Sequence, residues 1–423
     1  MSSKTWIDVP GTAITVKIAA IQAIQLTTPG IMPFQVYLAP QHGKRVCPAR
    51  RHPSIGGRRW HWLIIGRRQN ASRGQCMGEV RHNYRVLQAG RGLAALSVVA
   101  FHANMVCALP KYFGHEPAIF FRAGGSGVEF FFVLSGLVMV LAHRGDLGRD
   151  GAVRSFAWKR FRRIYPPLWA MLCIVLVILA AFPNLAAGVR PSAVETINAF
   201  AAGPVDPTIK EPLLSVEWTL RREMLFYVLF AVMLWRWRFG MAVIAGWLVL
   251  CVAAALVAMP YPASFVFDPV HLLFAMGMVV AWQVQRTSEI RGDRIFVATG
   301  AGLFALAWTW SDIYPADHAL PLTLWCYGLG ASALSLGLIS LERRGALVVP
   351  PALTALGDAS YSIYLVHLVV VSALTKVAVV IARHVPLPGV VWWLAIVAAG
   401  VIAGIAFHVA VEKPLLRLIS KRR

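Results

Sequence analysis

Residues 91–102 read RGLAALSVVAFH. An arginine opens the run, a histidine closes it, and the residues between carry no charge. In a helix, eleven positions at about 100° each return to within about 20° of the starting face. Arg91 and His102 therefore share one stripe, roughly 16 Å apart along the axis. A permanent cation at one end and a titratable ring at the other make that stripe a candidate site with two ends.

The rest of the chain has the same apolar grade. Of 423 residues, 58% are hydrophobic and only 14% are charged, and the mean hydropathy is +0.62. Soluble domains carry about 25% charged residues, so the composition implies an integral membrane protein. The net charge of +22 does not point to nucleic acid, because the basic residues sit in short blocks between long apolar runs. That is the pattern of cytoplasmic loops. The six cysteines are scattered, with no CxxC and no Cys/His cluster at metal spacing. Neither a structural disulfide nor a bound metal is expected.

Residues 1–76 differ in kind. They hold eleven Lys and Arg against one acid, Asp8, with no sustained period of 3.6 or 2. They contain neither a signal-peptide core nor a spanning run. A basic, disordered cytoplasmic arm is one explanation. An over-extended reading frame whose true start is Met77 is the other, and is preferred.

Beyond residue 86, ten apolar segments approach the ~20 residues that a spanning helix needs. They lie at about 88–109, 126–143, 165–183, 217–235, 240–259, 267–284, 295–311, 321–341, 359–382 and 390–411. The expected fold is all-α, a polytopic bundle of about ten transmembrane helices, with residues 77–417 as the membrane domain and 418–423 as a basic tail. Loop 144–163 carries Arg144, Arg149, Arg154, Lys159, Arg160, Arg162 and Arg163. The loops holding Arg236 and Arg238, Arg286 to Arg294, and Arg343 and Arg344 fall on the same side, as does the tail. The positive-inside rule then puts both termini in the cytoplasm. Arg91 lies near that face and His102 toward the outer one.

Several stretches now line up: RGLAALSVVAFH in the first helix, GGSGVEFFFVLSG opening the second, KRFRRIYPP before the third, EWTLRREMLFY opening the fourth, LGDASYSIYLVH opening the ninth, and VEKP closing the tenth. Together, over about residues 84–417, they resemble the membrane-bound acyltransferase 3 family, which acylates sugars of bacterial polysaccharides, lipopolysaccharide and peptidoglycan. The resemblance implies a ten-helix bundle of the bacterial inner membrane that takes an acyl-CoA, most simply acetyl-CoA, from the cytoplasm. It implies a glycan or lipid-linked oligosaccharide as acceptor. An Arg-x10-His pattern in the first helix is the family's central feature, carried here by Arg91 and His102. Some members add an extracytoplasmic esterase domain; with no such domain after residue 411, the stand-alone form is expected, whose members act on exopolysaccharide, O-antigen and nodulation-factor sugars, and the AGRGLAAL opening leans toward exopolysaccharide.

The residue chemistry agrees. Histidine suits a general base for a sugar hydroxyl, and a transient acyl carrier is the alternative for His102. Arg91 suits phosphate. Glu129, at the outer end of the second helix, is expected to orient His102; family members carry Asp or Glu there. Ser135 lacks the G-x-S-x-G turn of a nucleophile and is assigned to packing or to lining the donor channel. Arg160 and Arg163 stand where CoA phosphates arrive, and membership in the family favours Arg163. Pro166 and Pro167 suit the first turn of a helix. Glu223 either holds an acceptor hydroxyl or pairs with Arg221 or Arg222, a pair that departs from the family's small or polar residues. Tyr361, Tyr364 and His367 share one face, which either lines the donor channel or hydrogen-bonds other helices. Glu412 and Pro414 are expected to be structural. The rival reading from another class is a proton-coupled sugar transporter.

Overall fold

A computed structural model describes residues 84–182, 191–204, 212–257, 259–287 and 289–421. The expectations for residues 1–76 lie outside the described residues. The long elements are α1 (Arg85–Ala108), α2 (Gly127–His143), α3 (Ala152–Ala181), the short α4 (Ala193–Ala201), α5 (Glu217–Trp235), α6 (Trp237–Ala254), α7 (Leu272–Arg286), α8 (Asp293–Ile313), α9 (Pro321–Arg343), α10 (Pro351–Ala382) and α11 (Gly389–Phe407). A single π-helical turn, His408–Glu412, joins α11 to α12 (Lys413–Lys421).

All ten expected segments are helical. Eight spans among the described residues are long and apolar enough to cross a membrane. The other two segments are α5 and α8. The first seven residues of α5 include Glu217, Arg221, Arg222 and Glu223, and glycine, threonine and tryptophan dilute α8. Charge in α5 is turned inward, with Glu217, Arg221 and Glu223 all buried.

One boundary differs from the sequence reading. The stretch 152–163 is not loop: α3 starts at Ala152 and runs straight through Pro166 and Pro167. Those prolines therefore sit well inside the helix, not in its first turn. Proline removes a backbone donor and frees the carbonyl four residues back, here those of Arg162 and Arg163; close by, Tyr361 of α10 donates its hydroxyl to Ile164 O at 2.8 Å. Arg160 and Arg163 consequently project from a helix into the bundle.

The core is built from close helix pairs: α1 on α10, α2 on α7, α8 on α9, and α10 on α11. Small residues set these approaches. At the α2–α7 crossing, a Cβ on Gly136 would overlap Phe274 O, and one on Gly277 would overlap Val133 O. At the α1–α10 crossing, Gly357 meets Gln88 O in the same way.

Successive long helices run in alternating directions, so the basic loops collect at one end. Gly148 N donates to Leu234 O at 2.9 Å, joining the α2–α3 and α5–α6 loops. Gln285 reaches Val140 O at 3.4 Å, Arg343 reaches Thr287 O at 3.0 Å, and Arg344 pairs with Asp293. The first turn of α1 joins them: its orphan Arg85 and Val86 N–H groups donate to the Glu342 carboxylate at 2.8 and 3.0 Å, a cap suited to a helix N-terminus. The opposite end is tied by Asn104 to Ala118 N and by Trp308 to Phe120 O.

Candidate active site

His102 lies in α1, one turn and a half before its C-terminus, with its ring partly exposed. Its Nδ1 is 3.0 Å from Val98 O and 3.2 Å from His367 Nε2. His367, fully buried on α10, places its own Nδ1 2.6 Å from Tyr364 O. Carbonyl oxygens only accept, so each neutral ring carries its proton on Nδ1. His367 Nε2 is then an acceptor, and the His102 Nδ1–H is shared between it and Val98 O. His102 Nε2 keeps the lone pair. The ring is thus held as a base with one free nitrogen, and it retains both acceptors when that nitrogen takes a proton.

At the other end of the stripe, Arg91 is 1% exposed. Its Nη2 donates to Ser360 Oγ at 3.3 Å, while Nε and Nη1 have no protein acceptor. A polar layer surrounds it. Arg163 and Glu412 are its electrostatic neighbours, as is Glu223. Glu223 accepts from Ser135 Oγ at 3.0 Å and also bonds Tyr227; Arg160 and Arg163 lie within its field. Glu412 Oε2 accepts from Ser362 at 2.6 Å and from His408 Nδ1 at 2.7 Å. Three guanidinium groups thus face two carboxylates inside the bundle. Burying such charges costs several kcal/mol each, so intramembrane ionisable clusters are kept for function. An anion entering from the basic end would meet unspent donors on Arg91.

The geometry changes several assignments. The carboxylate expected beside His102 is elsewhere: Glu129 Oε1 lies 3.3 Å from His318 Nε2. The side chain that stands against the His102 ring is His367. The reason is helical phase: Glu129 follows a 3-10 stretch, Ile119–Ser126, which turns α2 toward the α8–α9 connection. Glu223 pairs with neither neighbouring arginine, since Arg221 binds Glu217 at 2.9 Å and Arg222 binds Asp268 at 2.5 Å. The face carrying Tyr361, Tyr364 and His367 divides its work. The two tyrosines make interhelical bonds, Tyr361 to α3 and Tyr364 to Thr219 and Val216 at 3.3 and 3.4 Å, and His367 serves His102. Ser135 combines packing beside Gly136 with its bond to Glu223. Glu412 is not merely a helix terminus; it belongs to the polar layer.

Sequence reading missed Tyr227, Ser360, Ser362, His408 and His318. Two of these carried a signal. Glu223 and Tyr227, like His408 and Glu412, stand four residues apart, the spacing of helical neighbours. His318 carried none, because it sits in a short connection and meets Glu129 from far along the chain.

The chain matches the acyltransferase 3 family, an acyltransferase domain, over residues 85–409. It belongs to that family. It is therefore an acyltransferase for groups other than aminoacyl groups, and its apolar helices make it a multi-pass membrane protein. It is 32% identical over 313 residues to the exopolysaccharide production protein ExoZ of Rhizobium meliloti (strain 1021), covering 72% of this chain and 93% of that one. Identity to the acyltransferase MdmB of Streptomyces mycarofaciens is 27% over 367 residues, or 79% of this chain and 92% of the relative. A shorter match, 28% over 107 residues, reaches the peptidoglycan O-acetyltransferase OatA of Listeria monocytogenes serovar 1/2a (strain ATCC BAA-679 / EGD-e), covering 25% of this chain and 15% of that protein. No solved structure matches.

Proposed function

We propose that this chain is an inner-membrane O-acyltransferase of about ten spans with both termini in the cytoplasm. It moves an acetyl group from cytoplasmic acetyl-CoA to a hydroxyl of an exported or cell-surface glycan, with an exopolysaccharide repeat, on a lipid carrier or free, as the favoured acceptor. The observation that carries this reading is the pairing on α1: a histidine whose Nε2 is left basic by two carbonyl-anchored protons, one stripe away from a buried arginine with unspent donors.

The chemistry runs as a direct transfer. His102 Nε2 takes the proton of the acceptor hydroxyl as its oxygen attacks the thioester carbonyl. The new C–O ester bond forms, the C–S bond breaks, and the His102 proton passes to the departing CoA thiolate. Arg91 and Arg163, with Arg160, hold donor phosphates at the basic end. The roughly 16 Å between Arg91 and His102 is spanned by the pantetheine arm. Positive-inside asymmetry supports the cytoplasmic assignment of the basic end, and the similarity to an exopolysaccharide production protein supports the acceptor class.

The test compares membranes bearing the chain from Met77 with its His102→Ala variant, supplied with radiolabelled acetyl-CoA and host glycan. Glycan-dependent CoA release that vanishes in the variant is the expected result. Equal turnover in both, or transfer with no dependence on acetyl-CoA, would overturn the reading.

A further inference from the structure

Glu129 is fully buried, and its neighbour His318 forms a wall of a cavity of about 110 Å³ at the end of the bundle away from the basic loops. A site for one water needs only about 15 Å³ by the same measure. Phe101 lines the same cavity, next in sequence to His102 and in edge contact with its ring at 5.0 Å between centroids.

The lining alternates hydrogen-bond roles. His318 sets its Nε2 3.3 Å from the Glu129 carboxylate and presents its ring to the cavity. Asn104 spends its Oδ1 on Ala118 N at 2.9 Å and has its amide NH2 left to donate. Ser311 accepts from Tyr327 OH at 3.1 Å, which frees its own proton. Arg122 and Glu116 also line the space, paired with each other, so their charges cancel. Donors and acceptors without net charge, beside one aromatic face, suit a neutral polyol and disfavour an anion.

We propose that this cavity is the acceptor subsite, and that it takes one neutral sugar ring of the glycan. Glu129 acts here as a positioning residue, its carboxylate set against the His318 ring. The hydroxyl to be acylated then reaches His102 past Phe101. This inference rests on the acyl-transfer reading above.

The experiment measures two things on purified full-length protein: equilibrium binding of fluorescently labelled host polysaccharide stripped of esters by mild base, and steady-state transfer from acetyl-CoA. Asn104→Asp keeps the acceptor for Ala118 N–H and removes the donor. Met105→Trp fills the cavity from another lining position without deleting a hydrogen bond. Both variants should weaken polysaccharide binding and raise its KM about tenfold or more, with the KM for acetyl-CoA within about twofold of wild type. Polysaccharide binding that is absent in wild type, or equal in wild type and both variants, overturns the subsite; if His102→Ala still abolishes turnover, the acyl-transfer reading survives that failure. Cavity-dependent binding by a wild-type protein that transfers no acetyl group supports the subsite and overturns the acyl-transfer reading alone.

Discussion

Replacing His367 tests the arrangement of the two imidazoles most sharply. His367 contributes one acceptor, Nε2, at 3.2 Å from His102 Nδ1. In the resting state that bond is between neutral groups and is shared with Val98 O. Once His102 has taken the acceptor's proton, the same bond is made to a cation. Hydrogen bonds to charged groups contribute about 1.5–3 kcal/mol, against about 0.5–1.5 kcal/mol for neutral ones. The difference falls on the transition state, where charge develops on His102. The difference is about 1–1.5 kcal/mol, so at about 1.4 kcal/mol per tenfold in rate His367→Leu should lower kcat by roughly 5- to 12-fold, with the KM for acetyl-CoA little changed. His367→Gln can return an acceptor near the place of Nε2 and should recover most of that loss. In a His102→Ala background, His367→Leu should add nothing, because the two residues act as one unit. The assay is release of CoA with glycan present, checked by thermal melting for retained fold. If His367→Gln is as slow as His367→Leu while both fold, the acceptor role of Nε2 is refuted. Full activity in His367→Leu would refute it as well.

Other substitutions separate donor binding, nucleophile and packing. Arg91→Lys keeps the charge but loses the planar fork; we expect the KM for acetyl-CoA to rise about tenfold or more with a smaller change in kcat, read from initial rates. Ser135→Ala deletes one neutral donor to Glu223 and should retain activity to within about tenfold, whereas a nucleophile would be lost entirely; loss of all turnover in a folded variant would make Ser135 the acyl carrier. Gly277→Val forces a side chain onto the backbone of α2 and should destabilise the bundle by about 1–3 kcal/mol or more, seen as a lower melting temperature in detergent; an unchanged melting temperature would contradict the α2–α7 crossing.

The helices were readable because apolar runs of spanning length leave no other choice of backbone, and the Arg91–His102 stripe was readable because helical phase is a local rule. What could not be read depends on rotation and distance. Glu129 and His102 are neighbours by the short link between α1 and α2, so a pairing looked natural. The 3-10 stretch before Gly127 changes the phase, and His318, almost two hundred positions on, takes the carboxylate instead. The prolines misled for a related reason. Pro166 and Pro167 read locally as a helix start, but α3 continues through them, in a stretch that packs against α10 through the Tyr361 hydroxyl on Ile164 O. Glu412 looked terminal because a proline follows two residues later; the π-turn at His408–Glu412 brings it inward, and π-turns of this kind collect at functional sites.

The molecule thus holds its polar groups in two separated sets, and their separation is itself informative. A transporter would need one site reachable from both ends in turn. Here the guanidinium-rich layer of Arg91, Arg160 and Arg163 lies toward the basic end, and the charge-balanced cavity of Asn104, Ser311 and His318 lies toward the other. The sets differ in chemistry as well as in place: the unspent donors of Arg91 suit phosphate, and paired charges with polar groups beside an aromatic face suit a neutral sugar. One helix, α1, contributes to both, with Arg91 in the first and Phe101 and Asn104 in the second. His102 stands at the edge of the second set on that helix, its Nε2 the one ring nitrogen not turned to a carbonyl or to His367. Two dissimilar substrates meeting at one base is the geometry of group transfer, and under the proposed function it would let an acetyl group cross while the CoA that carried it stayed on the basic side.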